Sequence, residues 1–118
     1  MLDEPRQLLY AWTDAADSTK PDFLAVIDVT DGSATAGQVI RTVPVPGRSN
    51  GPHHSEHEMG PDGRLFVNGF NSGQSWVFDM ADPAAPTIAA QFGEMGGFAH
   101  PHSFIRLPSG NVLGMFQM

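Results

Sequence analysis

Apolar residues in this chain gather in runs of strand length, separated by short polar stretches rich in glycine and proline. DFLAVIDV (22–29) is almost continuously apolar and rich in β-branched residues, the pattern of a strand covered on both faces. LLYAWT (8–13), GQVIRTVPV (37–45), GRLFVNGF (63–70), SWVFDM (75–80), TIAAQF (87–92) and NVLGMF (111–116) have strand length and strand composition. PDG (61–63) and PSG (108–110) place Pro and Gly where a tight hairpin needs a preset φ and then a residue tolerant of positive φ. Only the stretch around 13–19 suits a helical turn.

The pattern repeats. HHSEHEMGPDGRLFVNGF aligns with HPHSFIRLPSGNVLGMFQ, matching His53 to His100, Pro61 to Pro108 and Gly63 to Gly110, each 47 positions on. Upstream, Asp28 in FLAVIDV falls on Asp79 in SWVFDM, 51 positions on, and a loop insertion before His53 accounts for the difference. A period near 47 with four strands per unit is the arithmetic of a β-propeller blade. The expected fold is therefore all-β, a β-propeller fragment of about two and a half four-stranded antiparallel blades. Residues 1–50 would supply strands B to D of one blade, 51–98 a complete blade (53–60, 63–70, 75–80 and 87–92), and 99–118 the first half of a third (101–107 and 111–116). A free-standing sandwich or small barrel also suits the strand number, but it gives no reason for the repeat. A propeller ring needs at least about four blades, so the chain reads as part of a longer one. By itself it is expected to be inactive and prone to associate through uncovered blade faces.

Composition narrows the partners. The formal net charge is −7 and Lys20 is the only lysine, which argues against nucleic acid or an anionic membrane surface. No apolar run approaches the length of a membrane span, and MLDEPRQ lacks the basic-then-apolar order of a signal peptide. These features point to a soluble protein, cytoplasmic or periplasmic. With no cysteine, any metal must rest on His, Asp, Glu or Met.

Three of the five histidines lie in PHHSEHEMG (52–60), and the others are His100 and His102. His53, Glu56 and His57 match H-x-x-E-H literally, but that zinc-protease signature works only on a helix, and Pro52 and Gly60-Pro61 leave no room for one. On a strand, His53, Ser55 and His57 would face one way and His54, Glu56 and Glu58 the other. Residues i and i+4 of a strand stand about 13 Å apart, too far to share an ion. Two strands can do it, because the starts of innermost blade strands gather at one mouth of a propeller channel. The candidate ligands are His53, His54, His57, His100 and His102, with His57 deepest along its strand. Glu56 and Glu58 are candidates to orient a ligand imidazole or to act as a general base. An all-imidazole set suits copper, zinc or iron. The alternative is a polar channel lining without metal. Asp28 and Asp79, each before a turn, read as structural caps of their own backbone. Trp12 and Trp76 read as packing residues, and Met59, Met80, Met95, Met115 and Met118 as core filling.

LLYAWT, PDFLAVIDV, GQVIRTVPVPG, PHHSEHEM and HPHSF, in this order, resemble the N-terminal blades of the selenium-binding protein family, which includes the methanethiol oxidases. The resemblance implies a seven-bladed propeller of which this chain is roughly the first third. For the oxidases it implies copper-dependent oxidation of a small thiol by oxygen, giving formaldehyde, hydrogen sulfide and hydrogen peroxide. It assigns candidate metal roles to His53, His54, His100 and His102, with a small-molecule substrate and the remaining blades as partners. The chain departs from the family at Glu56-His57-Glu58-Met59, where a cysteine-containing stretch is expected, and so offers no selenium-binding cysteine. The alternative class is a non-catalytic propeller, a binding module whose channel histidines are structural.

Overall fold

The computed structural model describes residues 6–117. Among them are nine strands and no helix: β1 (Leu8–Thr13), β2 (Phe23–Asp28), β3 (Val39–Pro44), β4 (Pro52–Ser55), β5 (Arg64–Gly69), β6 (Gln74–Asp79), β7 (Thr87–Phe92), β8 (Pro101–Arg106) and β9 (Val112–Phe116). They form three antiparallel meanders, β1-β2-β3, β4-β5-β6-β7 and β8-β9, each strand paired with its sequence neighbour. Three meanders set side by side are the architecture of consecutive propeller blades. The turns follow the sequence chemistry: Gly63 and Gly110 sit at φ of 71° and 91°, values that side chains strongly disfavour.

Burial explains the order of the sheets. β2 and β6 are nearly inaccessible along their length, whereas β3 and β7 at the outer edges are mostly exposed. The core fills the junction of the first two sheets, where Leu24 and Val45 meet Leu65, Val67, Trp76 and Phe78. Trp12 of β1 closes this layer, its ring 5.7 Å from Trp76 and 6.3 Å from Phe78. Burying side chains of this size is worth about 1.5–3 kcal/mol each, and tilted aromatic pairs add to that. Polar ties seal the junction. Tyr10 donates to the Pro83 carbonyl at 2.7 Å, Arg41 to the Ala84 carbonyl at 3.0 Å, and the buried Asp22 accepts both the backbone and the side-chain N–H of Asn50.

Asp28 and Asp79 cap the turns that follow them, accepting the N–H of Thr30 and Ala81 respectively, each at 2.9 Å. Of the methionines expected in the core only Met80 is buried; Met59, Met95 and Met115 are exposed, and Met118 lies outside the described residues. Of residues 13–19, Thr13 ends β1 and the rest form irregular chain, bends and a turn rather than helix, closed by a bond from Lys20 N–H to the Asp17 carbonyl. The innermost strand expected over 53–60 ends at Ser55, and the Glu56 that follows it is buried. The H-x-x-E-H match therefore opens on a strand.

The described chain is a flattened arc of 54 × 39 × 18 Å. Its radius of gyration, 15.1 Å, exceeds the roughly 13.5 Å of a compact domain of this length. This shape places β4 and β8, the first strands of their sheets, next to each other, with β1 beside β4.

Candidate metal centre

Both of these strands open in the same way. Gly51, at φ 73°, precedes Pro52, and His100, at φ 56°, precedes Pro101. Pairing the two prolines offsets the blades by 49 positions here, against 47 at the hairpins. His100 is therefore the counterpart of Gly51, outside the strand, and His102 that of His53.

Each strand then breaks its register. Pro52 pairs with Gly69 and Ser55 with Val67, so β4 carries one residue more than β5 across the same span. Pro101 pairs with Phe116 and Ser103 with Met115, leaving His102 unpaired in β8. Such bulges re-aim side chains at the cost of a ladder bond. This corrects the alternation read from the sequence: consecutive His53 and His54 do not face opposite ways but have ring centroids 4.4 Å apart.

His102 completes a triad, its ring centroid 4.5 Å from that of His53 and 4.9 Å from that of His54. One nitrogen from each of the three lies within 4.8 Å of the others. The Nε2 atoms of His53 and His102 are 3.0 Å apart. Two nitrogens bound to one ion at about 2.0 Å would be roughly 2.8 Å apart at a right angle and roughly 3.3 Å at the tetrahedral angle. The His53–His102 spacing fits one shared ion, and His54 brings its nitrogen within 4.8 Å of both. The same 3.0 Å also suits a hydrogen bond in which one ring donates to the other.

Burial foremost, and then the neighbouring imidazoles of His53, His102 and His57, push the His54 imidazole below its ordinary pKa. Both effects favour the neutral form, whose ring lone pair can bind a cation.

The other expected ligands are not brought into the triad. His100 Nδ1–H donates to the Phe70 carbonyl at 2.9 Å, and the Phe70 ring packs 5.4 Å from both His100 and His53. His57 and Glu58 follow β4 in an exposed segment. The Glu56 side chain bonds to residues other than the three histidines. Its carboxylate receives Arg106 Nε and Nη2, both at 3.0 Å, and the Phe66 N–H at 3.0 Å, in a buried fork that joins the second sheet to the third. Arg106 also binds Asp62 at 3.0 Å and lies over the Phe66 ring. Burial alone would raise the Asp62 pKa, but the Arg64 N–H and the Arg106 guanidinium outweigh it and hold the group below its ordinary value.

One residue missed in the sequence connects the site. Asn68 of β5 is fully buried and reaches both β4 and β8 with its side-chain amide. The available signal was an amide inside an otherwise apolar strand run, LFVNGF. An apolar cleft of about 460 Å³ lies elsewhere, between the second and third sheets, lined by Phe66, Phe92, Phe98, Phe104 and Phe116 and by none of the histidines.

Known proteins bear on this geometry. A methanethiol oxidase from Ruegeria pomeroyi is 35% identical over 115 residues, 91% of this chain and 26% of its own length. Selenium-binding protein 2 of Arabidopsis thaliana is 31% identical over 109 residues, 80% of this chain and 22% of its own. The chain is homologous to the selenium-binding proteins and methanethiol oxidases. It spans about a quarter of the length of these curated relatives. The crystal structure of a hypothetical selenium-binding protein from Sulfolobus tokodaii superimposes with a TM-score of 0.69, at 22% identity, over 86% of this chain and 27% of that one, and this likeness shows the fold. No family model matches the chain. No helix among the described residues is long and apolar enough to cross a membrane.

Proposed function

We propose that His53, His54 and His102 are ligands of a copper ion in a propeller oxidoreductase that acts on a small thiol. The observation that carries this reading is the triad, in which two bulged strands of adjacent sheets bring three imidazole nitrogens within 4.8 Å. An all-imidazole donor set without carboxylate or thiolate suits copper, and also zinc or iron, far better than calcium or magnesium. The name of the Ruegeria relative, methanethiol oxidase, favours thiol chemistry. Copper bound there would supply one-electron redox chemistry. The chain's own part is to present three imidazoles and hold them from two strands of adjacent sheets. None of these 118 residues is a cysteine, so these residues offer the site no thiolate.

A second reading, a non-catalytic propeller with structural histidines, is favoured by the His53–His102 contact, a hydrogen bond that occupies the Nε2 atom of each ring without an ion. Titration with cupric and zinc ions, with elemental analysis of the product, separates the two. The metal reading expects one equivalent bound and lost in the double variant His54→Ala/His102→Ala, and, in a propeller with all its blades, thiol oxidation that disappears with the metal. A chain that takes up no metal, and whose stability those substitutions leave unchanged, sinks the first reading.

A further inference from the structure

The two bulges leave backbone groups without ladder partners, at His54 in β4 and at His102 in β8. Asn68 supplies both. Its Oδ1 accepts the His54 N–H at 2.9 Å, and its Nδ2 donates to the His102 carbonyl at 2.6 Å. Its backbone carbonyl accepts Trp12 Nε1–H at 2.7 Å, so all three sheets meet at this one residue. Asn68 lies between the buried Val67 and Gly69 and is itself inaccessible to solvent. A buried amide is costly unless its donors and acceptor find partners, and here they find the backbone of two histidines on different strands.

We propose that Asn68 is a positioning residue that sets the separation of the His53–His54 pair from His102 across the junction of β4 and β8. The requirement is chemically narrow. One end of the side chain must accept an N–H and the other must donate to a carbonyl, in a space closed on both sides. Aspartate, nearly the same shape, can accept from His54 but presents oxygen to the His102 carbonyl; leucine does neither. The consequence for the ion rests on the metal reading above, whereas the consequence for the rings does not.

The test compares the full chain with Asn68→Asp and Asn68→Leu. In the metal-free protein, NMR cross-relaxation between the His53 and His102 rings reports the spacing, and that between Trp12 and Trp76 reports the intact junction. Cupric ion alone is then titrated and followed by electron paramagnetic resonance. Both variants are expected to keep the tryptophan contact and lose the ring-to-ring histidine contact. Copper affinity is expected to fall about 10–100-fold, with a changed nitrogen hyperfine pattern. Variants that keep the tryptophan contact, the histidine contact and the wild-type copper spectrum overturn the proposal. If Asn68→Leu does not fold, Asn68→Asp decides. If the wild type binds no copper, the metal reading fails on its own and the histidine contact still decides the role of Asn68.

Discussion

His100 shows how one side chain can serve the backbone rather than the cluster it was expected to join. It holds φ at 56°, in the left-handed region where the equivalent blade position has Gly51, and it bonds the Phe70 carbonyl through its ring. A non-glycine residue there stores about 1 kcal/mol of strain, and the ring bond returns a similar amount. His100→Ala keeps the strain and loses the bond, so it should destabilise by about 1 kcal/mol; His100→Gly loses both and should lie close to wild type. Urea midpoints with Gly above Ala, and copper binding unchanged in both, check this assignment. Asp28 is a second residue-scale case. Hydrogen bonds from the Ser33, Thr35 and Thr30 hydroxyls, with the Thr30 N–H, hold its carboxyl well below the usual carboxylate range. A depressed folded-state pKa contributes stability that is fully present above the unfolded value near 4 and is lost as pH falls toward the folded one. Asp28→Asn should therefore lower the denaturation midpoint at pH 7, and the gap from wild type should narrow at pH 3. Both caps were legible in the sequence because aspartate before a turn acts locally. The place of His100 was not, because a histidine on a left-handed backbone looks the same in one dimension as a histidine on a strand.

At the scale of elements, strand positions were legible because apolar runs and turn residues fix them without reference to neighbours. The interiors of the first strands were not, since a bulge is a property of two strands and appears in neither alone. Alternation separated His53 from His54, and the extra residue in β4 brings them together. The same limit hid the partner of Glu56, which lies 50 positions away on β8. Removing Arg106 strands a buried carboxylate, and breaking such a pair costs about 3–5 kcal/mol. Arg106→Ala should lower stability by roughly 3 kcal/mol in chemical denaturation, and Arg106→Lys, which cannot reproduce the fork, by less. Glu56→Gln separates the structural role from the catalytic one expected of it. The structure predicts lost stability with copper affinity within about twofold of wild type, since the nearest change at the histidines is indirect. A general base would show the reverse, with full stability and abolished turnover.

For the molecule as a whole, the repeat was legible because blade junctions impose the same apolar layer at each period, but the quality of each junction differs. The first joins two sheets over a closed core built on Trp12, Trp76 and Phe78. The second joins four strands to two and leaves Phe98 60% and Met95 54% exposed, and on the third sheet Ile105 and Leu113 are each 50% exposed. Ile105 and Leu113 are cross-strand partners, so they form one patch on β8 and β9. A two-stranded sheet with such a patch is marginal in water, and contiguous apolar surface of this kind drives association. The chain is expected to self-associate as its concentration rises into the micromolar range, which light scattering after size exclusion would show as a mass increasing with loading. Ile105→Lys with Leu113→Glu places opposite charges across the pair and should return the mass toward that of one chain while leaving the His53, His54 and His102 cluster intact. A chain that is monomeric at every loading, or a double variant that associates as strongly as wild type, would show that this patch is not the surface through which copies meet.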